Sequence, residues 1–389
     1  MNTQQQGIIT LIKSALTGQK LELPQGFSLE AADKLVRSQG LLPLVYQGAY
    51  QCGIDGKAEI MQRYQKHYFR LLLHSEQQLR AAERIFRAFD ENQIDYLPLK
   101  GCILKKLYPH PELRVMGDAD ILIRKEQYDR VKAVMQQLDF REESVSSYDT
   151  HWVSNALFAE LHHNLFADDQ EDLCRYFGDC WSIAVKDEGS RYTFTQEDTF
   201  VYIFAHMTKH FRFGGIGARQ IVDLFVYRRA HPELDEVRLE QTMAQIHLLE
   251  FYRNIRRLLA VWFEDAPEDP VTDFITAYIF SGGSWGTAEN LLYAQELLRA
   301  KQAGKIGHSR FRSILRTIFP KLDHMQLSYN VLYRHPWLCP LFWIVRWFEI
   351  LLFRRKNIRK KGKIVLGISD EGVSEHQKAL NYMGLDYRF

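Results

Sequence analysis

Cysteine is scarce in this 389-residue chain. The five present (Cys52, Cys102, Cys174, Cys180 and Cys339) are scattered, odd in number and form no Cys-x-x-Cys pair. That excludes a disulfide framework and a zinc ribbon, and it points to a reducing compartment. Net charge is nearly absent as well, with 50 Lys and Arg against 48 Asp and Glu for a total of +2. Neither a general nucleic-acid binder nor an acidic disordered chain has that balance. No fixed-period repeat is visible, and no apolar run is long enough to span a bilayer. The longest, WLCPLFWIVRWFEILLF at 337–353, is 17 residues and contains Pro340, Arg346 and Glu349. A spanning helix takes roughly 20 apolar residues, and an arginine at its centre costs about 2.5–3.5 kcal/mol. The opening MNTQQQGIITLIKSALTGQK lacks the basic stretch and apolar core of a secretory signal, so the expectation is a cytoplasmic protein.

What is present is ordinary globular material, 46 % hydrophobic and 25 % charged, with 13 % aromatics to fill a core. The length predicts more than one domain. Residues 1–88 carry apolar positions at three- and four-residue spacing and read as helices, with Ser28 as an N-cap. Over 89–195 the pattern changes. IDYLPLK is short and strand-like, CILKKLYP reads as a helix stopped by Pro109, DADILIR alternates with period two, a helix follows, and SNALFAELHHNLF (154–166) reads as a further strand. Residues 196–335 are helical again, punctuated by Gly-rich breaks at 214–217 and 282–286. The last stretch, 336–389, holds the aromatic segment, a basic run and a polar tail. The fold class is α+β, a small α/β core between helical regions.

Chemistry concentrates in that core. Residues two apart on a strand share a face, so Asp118 and Asp120 present paired carboxylates that repel unless a cation neutralises them. Hard divalent ions such as Mg²⁺ or Mn²⁺ suit that pair. Glu160, heading a same-face polar series with His162 and Asn164, is the candidate third carboxylate. Two cations so held serve in-line phosphoryl or nucleotidyl transfer. Lys100-Gly101, at a strand-to-helix turn, offers a charge and a close backbone approach to phosphate, and Arg114 offers a planar fork.

The run LPLKGCILKKLYP, then LRVMGDADILI, then AELHHNLF resembles the bacterial nucleotidyltransferase-like family of the polymerase-beta superfamily, with its strand-Lys-Gly-helix, Arg-x-x-x-Asp-x-Asp and Glu-Leu-His motifs. The resemblance implies a polymerase-beta-like nucleotidyltransferase core. It also implies a metal-dependent enzyme that moves a nucleoside monophosphate from a nucleoside triphosphate to an acceptor and releases pyrophosphate. Asp118, Asp120 and Glu160 would be the catalytic metal ligands, with Lys100, Gly101, Arg114, Gly117 and His162 on the nucleotide side. The turn here is Gly101-Cys102 where the superfamily usually has Gly-Ser or Gly-Gly. That departure keeps open a binding protein of the same fold, serving as a sensor or partner in a surface-polymer, peptide-modification or toxin–antitoxin setting.

Plainer readings stand beside these. Lys100 could be a surface residue ending a strand, and Glu160 could form a structural pair with Arg141 or another cation. His206 and His210 share a helix face at metal-ligand spacing but lack the Glu of a zinc-protease motif. The expectation is instead that their helix lines the cleft, so that His210, Arg219 and Asp223 reach nucleotide or acceptor. At the other end, seven of the ten residues of RRKNIRKKGK (354–363) are basic. Removing those seven from the total of +2 leaves −5 for the rest of the chain. Beside the aromatic 337–353, this suits a peripheral contact with the inner face of a membrane, or a buried helix with a solvated basic end. RNA is the weaker acceptor, behind a small molecule, a polymer precursor or a protein.

Overall fold

A computed structural model describes residues 1–146, 148–166, 170–284, 286–303, 319–326, 329, 331–353 and 370–385. The chain divides into two compact units, one comprising Met1–Lys209, Ile216–Trp285 and Met383–Phe389, the other His210–Gly215 and Gly286–Tyr382.

In the first unit, α1 (Thr3–Thr17), α2 (Leu29–Ser38), α3 (Leu42–Gln51) and the 33-residue α4 (Glu59–Glu91) precede the sheet. Local chemistry sets the first starts. Asn2 and Gln5 form a reciprocal capping box on α1, and the Ser28 side chain accepts from the Ala31 N–H on α2. In α4, Ile60, Met61, Tyr64, Tyr68, Gln78, Ala82, Ile85 and Phe89 make one buried stripe at helical spacing.

The sheet has five strands, β1 (Tyr96–Pro98), β2 (Ala119–Ile123), β3 (Arg141–Val145), β4 (Asp149–Val153) and β5 (Phe158–His162), in spatial order β1-β2-β5-β4-β3. Only β2 and β5 run parallel. Their crossover includes α6 (Tyr128–Gln137), as a parallel pair requires. Alternation gives the sheet two unlike faces. Ala119, Ile121 and Ile123 of β2, Ala159 and Leu161 of β5 and Trp152 of β4 share a core with Ala82, Ile85 and Phe89 of α4 and Val131, Val134 and Met135 of α6. The intervening residues, Asp120, Glu160, His162, Asp149 and His151, lie on the opposite face, because each is one residue out of step with that core.

Three expectations change in detail. The strand expected over Ser154–Phe166 is shorter, because Ser154 and Leu157 close a turn between β4 and β5 (Ser154 N–H to Leu157 O, 3.0 Å) and Asn164 falls beyond β5. The sheet has two strands, β3 and β4, that the α/β pattern did not contain. The helix after Gly101 is brief: α5 spans Lys100–Leu104 and tightens into a 3₁₀ turn at Lys105–Leu107.

Helices α8 (Gln196–Phe213), α9 (Ala218–Ala230), α10 (Glu236–Gln245), α11 (Leu249–Phe263) and α12 (Pro270–Ser281) follow the short α7 (Glu171–Phe177) and a two-stranded ribbon. Fully buried Gln39 ties the amino-terminal helices to these. Its Nε2 donates to Ile279 O and Gly282 O at 2.9 and 2.8 Å, and its Oε1 accepts from the Ala218 N–H at 2.8 Å.

The second unit takes the last turn of α8 from His210 and contains α13 (Ala288–Ala303), α14 (Leu322–Gln326), α15 (Val331–Arg334), α16 (Cys339–Phe353) and α17 (Asp370–Tyr382). Met325, Leu332 and Cys339 make its small described core, with Phe342 and Trp343 packed against it. No helix among the described residues is long and apolar enough to cross a membrane.

Candidate active site

The polar face of the sheet gathers its carboxylates by register. Asp120 of β2 is the parallel partner of Glu160 of β5, and Glu160 is in turn the antiparallel partner of His151 of β4. Asp120 Oδ1 accepts from Lys100 Nζ at 2.8 Å and lies 3.0 Å from His162 Nε2, which is also 3.6 Å from Glu160. The ligand atoms of Asp120, Glu160 and His162 all fall within 4.8 Å of one another. Asp118, one residue ahead of β2, is half-buried and outside that group.

Electrostatics divides these acids. Burial alone would raise the Asp120 carboxyl, but the Lys100 ammonium and the His162 ring outweigh it and hold the group well below the usual carboxylate range. At Glu160 the Lys100 charge is outweighed. The burial of Glu160, then the charges of Asp120 and Asp118, push it up to about 8. Asp118 is raised too, by burial first and Asp120 second. The acids therefore repel one another wherever Lys100 does not reach, the condition a bound cation relieves. The donor set of Asp120, Glu160 and His162 fits a divalent ion on those grounds.

Lys100 is the hinge of the arrangement. It opens α5 with φ +24°, in the left-handed region. Its Nζ sits between Asp120 and, at 2.7 Å, Nε2 of His206 on α8. Gly101 is buried, and a Cβ there would stand 2.8 Å from Met116 Sδ and 3.3 Å from Asp118 O. The glycine thus lets α5 close against the loop that carries Asp118.

That loop is anchored from two sides. Arg114, 7 % exposed, donates from Nε and Nη2 to the two carboxylate oxygens of Asp223 on α9 at 2.8 and 3.0 Å. Tyr108 donates to the same carboxylate at 2.7 Å, and Arg219 donates to Val115 O at 2.8 Å. Lys105, buried and pushed down to about 8 chiefly by that burial, donates to Arg114 O at 2.8 Å, and Gln78 of α4 donates to Met116 O at 2.9 Å. Arg114, Arg219 and Asp223 thus tie the loop to α9, and an arginine buried as deeply as Arg114 needs a fixed carboxylate beside it. Gly117 lies exposed in the loop with open space around it.

Other expectations resolve by position. Glu160 has His151 and His162 beside it, while Arg141 is exposed at the start of β3. His163 turns away from His162 and sets its ring against Tyr128, 5.3 Å between centroids. His206 joins Lys100, whereas His210 belongs to the second unit. Two polar residues of β4 had gone unnoticed. Asp149 and His151 form a further group with Glu160 whose ligand atoms lie within 4.8 Å. The period-two spacing of Asp149-Thr150-His151 was the available signal.

No curated protein and no solved structure matches this chain. Residues 25–264 match a family described as uncharacterised nucleotidyltransferase. The matched stretch holds the whole sheet, α5, α8 and α9, which between them carry the carboxylates, Lys100 and the loop anchors just described. With more than half of its 389 residues so matched, the chain belongs to this nucleotidyltransferase family.

Proposed function

We propose that the protein transfers a nucleoside monophosphate from a nucleoside triphosphate to an acceptor with release of pyrophosphate, using Mg²⁺ or Mn²⁺ held by Asp118, Asp120 and Glu160. The observation that supports this best is the pairing of Asp120 with Glu160 across parallel strands, with burial and the two aspartates pushing Glu160 up to about 8. A divalent cation bound there supplies charge neutralisation and Lewis acidity toward phosphate oxygens. The chain's own part is to position and to charge. Lys100, 2.8 Å from Asp120, is the ammonium that would pair with the triphosphate. His162 orients Asp120, and the Arg114–Asp223 pair fixes the loop that delivers Asp118. Glu160, once ionised, would help to take the proton of the acceptor hydroxyl. The acceptor in this reading is a small molecule, a polymer precursor or a protein.

A second reading, nucleotide binding without turnover, is favoured by one observation: Lys100 and His162 already satisfy Asp120. Incubation with each labelled nucleoside triphosphate and Mg²⁺ or Mn²⁺ in the presence of cell extract separates the two. Pyrophosphate release supports transfer, and tight binding without release supports the other.

The proposed place of action is the inner face of a membrane, through 337–363. In support, Trp337, Leu341, Ile344, Val345 and Phe348 lie exposed at helical spacing along α16 and the 3₁₀ turn before it. The basic run at 354–363 follows directly in sequence.

A further inference from the structure

We infer that the polar face holds a second cation position, formed by Asp149, His151 and Glu160, which shares Glu160 with the first. The inference rests on the proposed reading of Asp120 and Glu160 as a cation site and extends it to β4. His151 Nε2 stands 3.6 Å from Asp149 Oδ1 and 3.8 Å from Glu160 Oε1. Those separations are too long for hydrogen bonds, which run about 2.7–3.2 Å. They come near the roughly 3.4 Å that separates adjacent ligands of a tetrahedral ion with bonds of about 2.1 Å. A histidine nitrogen thus faces two carboxylates at the span of an ion.

Neighbours hold His151 and Asp149 in that pose. Ser144 Oγ lies 2.9 Å from His151 Nδ1. A neutral ring with its proton on Nδ1 donates to Ser144 and leaves the Nε2 lone pair facing the carboxylates, the usual outer support of a metal-bound histidine. The Phe158 ring flanks the imidazole, 5.4 Å between centroids. On the other side, Ser146 Oγ donates to Asp149 Oδ1 at 2.6 Å and accepts from the Asp149 N–H at 3.1 Å. A β-bulge between Glu142 and Ser144 restores the register that pairs Ser144 with His151.

Ligand chemistry sets the class of ion. One imidazole with two carboxylates suits Mn²⁺ or Zn²⁺, whereas Mg²⁺ prefers oxygen ligands and retained water. The His151 side chain is 31 % exposed, which leaves an open side for water or a substrate oxygen. The shared Glu160 couples the occupancy of the two positions.

Mn²⁺ alone, added to the full chain, is the probe, with binding counted by equilibrium dialysis and imidazole ligation read by electron spin-echo modulation from the nitrogen. Two Mn²⁺ per chain are expected. His151→Gln and Asp149→Asn should each remove one and leave the other, with His151→Gln also changing the nitrogen modulation. Ser144→Ala, which leaves all three ligands in place, should weaken one of the two sites about 10–100-fold. Full retention of both ions and of the modulation in His151→Gln and Asp149→Asn overturns the inference while leaving the first position intact. A wild-type count of one, lost in Asp120→Asn but not in His151→Gln, does the same. Failure of the underlying reading looks different, since Asp120→Asn would then leave the whole binding curve unchanged.

Discussion

Asp120 and Glu160 face each other across the two parallel strands of the sheet, yet their carboxyls are driven in opposite directions, one held low by Lys100 and His162 and the other pushed up to about 8 by burial and by its acidic neighbours. The pair is therefore preset, with one carboxyl already charged and the other holding a proton that a cation bound there would have to displace.

Cation binding should accordingly release a proton. Glu160 is protonated below about 8 in the folded chain, and a cation competes with that proton. Apparent Mg²⁺ or Mn²⁺ affinity should rise by up to about tenfold per pH unit below 8 and level off above it. Titration calorimetry in buffers of different ionisation enthalpy reads the released proton directly, and Glu160→Gln should abolish the release.

Stability follows the same group. The unfolded chain gives up this proton near 4.5 and the folded chain near 8. The folded state thus binds the proton more tightly, and stability falls as pH rises between those values. Glu160→Gln removes the ionisation, so the metal-free variant should melt about 2–4 °C above wild type at pH 9 and together with it at pH 4. Differential scanning calorimetry in chelator checks both.

The loop anchor carries a structural prediction. Removing one member of a buried pair strands the other, so Asp223→Asn and Arg114→Met should each cost about 3–5 kcal/mol in urea unfolding. The double variant should cost clearly less than the sum of the two. Arg114→Lys should behave as a damaging change, because one ammonium cannot supply both bonds to Asp223.

At the carboxyl end, the full chain should sediment with vesicles containing anionic lipid and release them as salt rises. Trp337→Ser with Leu341→Ser and Phe348→Ser should lose most of that binding without altering the far-ultraviolet spectrum, since these side chains are 75 %, 54 % and 62 % exposed. Equal sedimentation of variant and wild type would remove the proposed membrane contact.

Legibility in the sequence tracked how local each cause was. The alternation of DADILI and FAELH was enough to place Asp120 and Glu160 on strands, and the Lys-Gly, Asp-x-Asp and Glu-Leu-His runs together carried the family resemblance. Arg114, Arg219 and Asp223 stand out as residue types, but the pairing of Arg114 with Asp223 is not legible, because the partner lies 109 residues away on α9 and the burial of Arg114 leaves no local trace. The close approach of Met116 to Gly101 is likewise not legible in the sequence, because it arises from the packing of α5 against a loop fifteen residues on. His151 was overlooked for a related reason, since Glu160 and Ser144 meet it only through pairing with the strands on either side.

The central claim is that Asp120 and Glu160 form the cation site of a working nucleotidyltransferase. The most direct measurement is pyrophosphate release by the full chain with each nucleoside triphosphate, Mg²⁺ or Mn²⁺ and cell extract, comparing wild type with Asp120→Asn and Glu160→Gln. The account predicts release by wild type, abolished by chelator and reduced about 10²–10³-fold in each variant, as loss of several kcal/mol of charge stabilisation requires. Release at the wild-type rate by Asp120→Asn and Glu160→Gln would contradict it.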